Sequence, residues 1–145
     1  MKKGSVLVSS CLLGEDCKYN GQNNYNEKVV EYLKDYDIIP ICPEVLAGFS
    51  IPREPLEICN CRLITKSGKD YTKEMDAACQ TIIKIIKEKK PLFAILKARS
   101  PSCGKGEIYD GTFTHTIVSK NGMAADVILN EGIKVFTEEE IEEII

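Results

Sequence analysis

The stretch Ser5-Val6-Leu7-Val8-Ser9-Ser10-Cys11-Leu12-Leu13-Gly14 decides the fold. Its first half is a short apolar run, Ser5 to Ser9, and reads as a first strand. Its second half breaks that strand with a cysteine and a glycine and opens a polar loop from Cys11 to Asn24. Gly14, Gly21 and four Asn or Asp residues keep that loop irregular.

Beyond it, helix and strand signals alternate. Asn26 is placed to cap a helix over Glu27 to Lys34, with Val29, Val30 and Leu33 as the apolar stripe. Asp37 to Ile41 reads as a second strand, stopped by Pro43. Residues 43 to 56 form a Pro- and Gly-containing loop long enough to suggest a working role. Ile58 to Thr65 and Lys69 to Tyr71 are predicted as a hairpin turning at Ser67-Gly68. A long helix runs from Thr72 to Lys90, burying Met75, Ala78, Cys79, Ile82, Ile83 and Ile86. Leu92 to Leu96 is a nearly continuous apolar run, as in a strand buried on both faces. Gly104 to Thr116 is loop with short strand pieces. Met123 to Asn130 is a helix closed by Gly132, Ile133 to Phe136 a last strand, and Thr137 the cap of a final acidic helix. The alternation predicts a single α/β domain over residues 1–145, three-layer or Rossmann-like, with a mostly parallel sheet and flanking helices.

Bulk composition agrees. The 145 residues are 43% hydrophobic and 28% charged, enough for one core without disulfide staples. The net charge of −3 gives no strong nucleic-acid signal, since a phosphate backbone selects a basic surface. No apolar run is long enough for a signal peptide or a membrane span. A cytoplasmic location is therefore expected, with thiols kept reduced.

In that setting seven cysteines point toward metal binding or catalysis. Cys11 follows the first predicted strand, Cys42 closes the second, and Cys103 lies a few residues after Leu96. With parallel strands, all three fall at the carboxyl edge of the sheet, where open α/β folds bind ligands. Pro and Gly neighbours fix their backbones in Cys42-Pro43-Glu44 and Ser100-Pro101-Ser102-Cys103-Gly104. Cys79 belongs to a helix stripe and reads as core. Cys59 and Cys61, two apart in a predicted strand, point to one face and read as packing. Cys17 stays open between fourth ligand, substrate-side thiol and loop residue.

A His-rich zinc site is excluded by the single histidine, His115, which reads as a surface or locally bonded residue. A zinc site made only of cysteines stays open, although no paired C-x-x-C knuckles are present. An iron–sulfur cluster takes thiolates from scattered positions more readily. Three thiolates on a four-iron cluster would leave one iron open for substrate.

Read together, Ser10-Cys11-Leu12-Leu13-Gly14, Cys17-Lys18-Tyr19-Asn20-Gly21, Cys42-Pro43-Glu44, Ser100-Pro101-Ser102-Cys103-Gly104 and Tyr109-Asp110-Gly111-Thr112-Phe113 resemble the thiouracil desulfurase family. The resemblance covers essentially the whole chain. It implies an oxygen-sensitive 4Fe–4S cluster held by Cys11, Cys42 and Cys103. It also implies non-redox removal of sulfur from 2-thiouracil, a small thiopyrimidine, to give uracil and sulfide. Glu44 and Ser100 map onto plausible active-site groups. The residue types suit this chemistry, because a thiocarbonyl sulfur is soft and an open iron is a soft Lewis acid. Glu44 could then activate water, and Ser100 could donate to the ring edge or the attacking oxygen. Arg53 could reach a substrate carbonyl, with an ion pair to Glu54 or Glu57 as its other use. Two rival readings remain: a zinc-binding structural module, and a metal-free thiol redox protein pairing Cys11 with Cys17. A homo-oligomer is compatible with all of these.

Overall fold

A computed structural model of the chain describes residues 2–144. Its centre is strand β1, Ser5–Ser9, which pairs in parallel with β2, Asp37–Ile41, on one side and with β5, Phe93–Leu96, on the other. Strand β8, Lys134–Thr137, adds to the far side of β5, again parallel. The order β2-β1-β5-β8 makes a four-stranded sheet.

Period-two alternation sorts the apolar residues of these strands to two faces. Leu7, Ala94, Leu96 and Val135 pack with Met75, Ile82, Ala125 and Ile128. Those partners lie on helices α3, Thr72–Lys89, and α4, Met123–Asn130. Val6, Val8 and Ile95 pack on the other side with Val29, Leu33 and Ile141. Val29 belongs to helix α1, Glu27–Tyr32, and Ile141 to helix α5, Ile141–Ile144. The result is three layers, helix on sheet on helix, as the alternation predicts. Asn26 caps α1 through its side chain, and Thr137 forms a capping box with Glu140 at the short 3₁₀ turn Glu138–Glu140.

The region after β2 differs from its sequence reading in two places. Residues 43–46 are not loop but a one-turn helix α2, Pro43–Leu46, with Cys42 at its N-cap and Pro43 at its first position. The hairpin turns earlier than predicted: β3, Leu56–Cys59, pairs antiparallel with β4, Arg62–Thr65. Asn60 and Cys61 form the turn, with φ of 51° and 64°. Two successive positive φ values match the twist of a tight hairpin turn. Cys59 and Cys61 therefore do not share one strand face. The Ser67-Gly68 turn exists, but beyond it only Asp70 bridges back, to Ile64. Strands β6, Ile108–Tyr109, and β7, Ile117–Val118, form a second small hairpin.

Candidate metal centre and its cavity

The chain leaves β1 toward β2 on one side and later reaches β5 on the other, so the sheet's topological switch point lies between β1 and β5. Helices diverge there and a crevice opens at the carboxyl ends of the strands. A cavity of about 490 Å³ occupies this place, lined by Cys11, Cys17, Cys42 and Cys103 among others. Its size falls within the roughly 300–1,000 Å³ of small-molecule sites.

Each cysteine arrives on its own short device. Cys11 lies in the 3₁₀ turn Ser10–Leu13, which Gly14 closes at φ 95°. Asn24 Nδ2 donates to Cys11 Sγ at 3.3 Å, and Asn24 N donates to Cys11 O at 2.9 Å. Cys42 is held by the start of α2, whose Leu46 N–H reaches back to Cys42 O at 2.9 Å. The Cys103 loop is bolted onto α4. Met123 N donates to Pro101 O at 3.0 Å, and Ala124 N to Ser102 O at 2.8 Å. The loop's carbonyls therefore satisfy the helix's first amides, where no side chain caps them. Gly122 permits this contact: a Cβ there would lie 2.6 Å from the Ser102 carbonyl carbon and 2.9 Å from Cys103 N.

The thiols are close enough to feel one another. Burial pushes Cys103 up to about 12; the Ser9 hydroxyl opposes this, and charge on Cys11 and Cys42 adds to it. Cys17 is likewise pushed up to about 12, by burial first and then by Cys42. Burial raises Cys11 too, against the Asn24 hydrogen bond. A set of buried thiols that resist joint ionisation is a set whose ionisation a cationic centre would favour. No three His, Cys, Asp or Glu side chains among the described residues converge tightly enough for a single metal ion. The donor set is thus all sulfur and spread around a cavity, which fits a polynuclear cluster better than one zinc ion. Cys17 stands beside Cys42 in the same cavity, and all seven cysteines are free thiols. Cys79 is core.

The polar groups around the thiols form one connected set. Arg53 Nε donates to Glu44 Oε1 at 2.9 Å, with the two side chains only 9% and 14% exposed. Its other nitrogens donate to Cys17 O at 2.8 Å and Ser50 O at 3.2 Å. Arg53 thus pairs with Glu44 rather than Glu54 or Glu57, and it ties the first cysteine loop to the second. Glu44 Oε2 accepts from Ser102 Oγ at 3.2 Å. Ser100 is committed locally: its Oγ accepts from Ser102 N at 3.2 Å and Cys103 N at 3.1 Å. It also shares a 3.0 Å bond with Ser102 Oγ. Ser102 is therefore the serine that touches Glu44, a role sequence reasoning gave to neither serine.

Positive charge reaches the cavity from Lys97 and Arg99. Lys97 Nζ pairs with Glu138 Oε2 at 3.0 Å, Arg99 pairs with Glu139, and Lys105 Nζ pairs with Glu140 Oε2 at 3.0 Å. Three successive glutamates thus clasp the segment that carries Cys103. The rim adds Glu57 from β3, which the sequence did not place in the site, and Tyr109 and Phe113 from the last of the motifs that carry the family resemblance. His115 stacks edge-on against Tyr109, with ring centroids 5.5 Å apart, and belongs to the same rim.

Comparison with known proteins places the chain in a family. The chain is 38% identical to the uncharacterized protein YbbK of Bacillus subtilis (strain 168), over 97% of this chain and 99% of that protein. It superposes on the solved structure of the 4Fe-4S-dependent thiouracil desulfidase TudS (DUF523Vcz) with a TM-score of 0.89. That match has 32% identity and covers 97% of this chain and 95% of that one. The family model described as 2-thiouracil desulfurase matches residues 6–140, and the chain belongs to that family.

Proposed function

We propose that the protein cleaves the C–S bond of 2-thiouracil, releasing sulfide and leaving the oxo base, with a 4Fe–4S cluster held by Cys11, Cys42 and Cys103. The observation that carries this reading is the convergence of three thiols, from three separate chain segments, on one cavity at the switch point of the sheet. Family membership and the likeness to a cluster-dependent desulfidase support it.

When bound, the cluster supplies a soft Lewis acid for the thiocarbonyl sulfur. The chain's own residues do the rest. Glu44 takes a proton from the attacking water at Oε2, which lies on the Ser102 side of the carboxylate. Arg53 holds the opposite oxygen and so fixes the direction in which Glu44 presents its free lone pair. Ser100 keeps the Cys103 amide aligned through its Oγ. Lys97, held by Glu138, keeps a positive charge near Cys11, where its field offsets part of the burial that pushes this thiol up. Cys17 forms part of the substrate-side wall. The balance is one water consumed for each sulfide released, with no electrons exchanged. A reducing cytoplasm suits a site built on free thiols. No helix among the described residues is long and apolar enough to cross a membrane.

The test is anaerobic reconstitution with iron and sulfide, followed by visible spectra and a sulfide-release assay on 2-thiouracil. Wild type should gain charge-transfer absorbance and release sulfide, and Cys103→Ala should do neither. Tight zinc binding without iron uptake would overturn the proposal and favour a binding module.

A further inference from the structure

Glu57 is a buried carboxylate that the mechanism above does not use. It is 7% exposed, yet it takes part in no ion pair among the described residues. Carboxylates this buried are ordinarily paired. Its Oε1 accepts from Gly111 N at 3.0 Å and from Phe113 N at 3.2 Å. Its Oε2 accepts from nothing among the described residues. That oxygen is not sealed in either, because no fully buried side-chain oxygen there lacks a partner. The open space that Glu57 borders is the cysteine cavity.

The same carboxylate fixes the rim. Gly111 approaches β3 so closely that a Cβ would sit 2.6 Å from Cys59 Cβ. Phe113 follows at φ 59°. Both Phe113 and Tyr109 line the cavity. One carboxylate oxygen of Glu57 therefore holds an aromatic loop in place, while the other is without a partner among the described residues on a side chain whose residue lines the cavity.

We propose that Glu57 is a specificity-determining residue that reads the ring N–H next to the thiocarbonyl. The inference rests on the desulfurase reading. In 2-thiouracil an N–H flanks the C=S on either side, so any pose with sulfur toward the cysteines presents a donor close by. An ionised carboxylate only accepts, so it rewards N–H and disfavours a ring nitrogen that carries a methyl or a lone pair. Tyr109 and Phe113 supply flat apolar surface for the ring itself. Glu57 would thus select thiolactam rings with a free N–H and reject N-substituted ones.

The test uses the reconstituted holoenzyme with 2-thiouracil and 1,3-dimethyl-2-thiouracil as substrates, and uracil and 1,3-dimethyluracil as equilibrium ligands. Glu57→Gln keeps the shape and can still accept from Gly111 and Phe113, but it replaces Oε2 by a donor. Expected is a wild-type preference for the unmethylated compounds of roughly 10- to 100-fold in KM and in Kd, the usual reach of one hydrogen bond to a charged group. E57Q should raise KM for 2-thiouracil by a similar factor and lose most of the preference, while kcat, cluster absorbance and thermal midpoint stay close to wild type. A purely steric or loop-holding role predicts instead that E57Q keeps the methyl discrimination, and that result overturns the proposal. Equal binding of uracil and 1,3-dimethyluracil by wild type overturns it without any variant. A wild-type holoenzyme that turns over no thiouracil overturns the desulfurase reading itself, a failure distinct from an active enzyme that ignores N-methylation.

Discussion

Replacing Arg53 by Met should destabilise the chain more than its place in a surface loop suggests, and a second substitution should reverse much of the loss. The guanidinium is only 9% exposed and lies 2.9 Å from Glu44, itself 14% exposed. Removing one partner of a pair this buried leaves an unmet charge, which costs about 3–5 kcal/mol. Glu44 keeps the Ser102 hydroxyl as a donor, so the lower end applies, about 3 kcal/mol. For a chain of this size each kcal/mol lowers the thermal midpoint by about 2–4 °C, giving a fall of about 6–12 °C. The sign of the second step is the sharper test. Arg53→Met with Glu44→Met removes both charges, so the double variant should be more stable than Arg53→Met alone. Urea unfolding of the reduced, cluster-free chain is the right assay, because a bound cofactor breaks two-state behaviour. A loss below about 1 kcal/mol, typical of an exposed pair, would refute the account. So would a double variant that simply adds the two single losses.

Gly122→Ala should cost about 1–3 kcal/mol by forcing a methyl against the Ser102 carbonyl. It should also shorten the time over which reconstituted protein retains its iron, measured by loss of visible absorbance. Glu138→Ala leaves the Ala98 amide, now bonded at 2.7 Å, without its acceptor and takes from the Lys97 ammonium its ion pair, leaving it the Ala98 carbonyl at 3.0 Å. Its expected cost in urea unfolding is about 1.5–3 kcal/mol, the range for hydrogen bonds to charged groups. Asp70 is held at about 2, chiefly by Arg62 and then by the Thr72 amide. Its folded value is depressed, so its stabilisation is complete above the ordinary 3.8 and is lost as the pH falls from there toward 2. Asp70→Asn should flatten that part of the acid-unfolding curve, and an unchanged acid limb would contradict the assignment.

The architecture was legible because it rests on repetition. Val6, Leu7 and Val8 alternate between two cores, and the long stripe of α3 repeats at helical spacing, so both leave a periodic trace. The three cysteines were legible for a related reason: each directly follows or closely trails a strand, and parallel strands put such positions at one edge. What stayed hidden depends on single contacts across the chain. Cys61 carries no turn signal, yet it adopts a positive φ because Asn60 beside it and the pairing of β3 with β4 demand the bend. Glu57 stands just before the predicted strand at Ile58 and reads only as a possible ion-pair partner for Arg53; the amides of Gly111 and Phe113, more than fifty residues away, are what engage it. Arg53 and Glu44 are nine residues apart, with the end of α2 and a loop between them, and no periodicity connects them. Ser100 and Ser102 are chemically identical in sequence, and only tertiary placement gives one to the loop amides and the other to Glu44.

The docking of the Cys103 loop on α4 has a consequence for how the metal site comes apart. The amides of Met123, Ala124 and Ala125 end on Pro101 and Ser102 carbonyls rather than on solvent. Loop and helix end therefore open together as one local unfolding unit, and amide exchange reports such openings. Deuterium uptake at these three positions becomes a meter of site integrity that needs no colour and no substrate. It reads the same three protons whether the thiols are empty, loaded or oxidised.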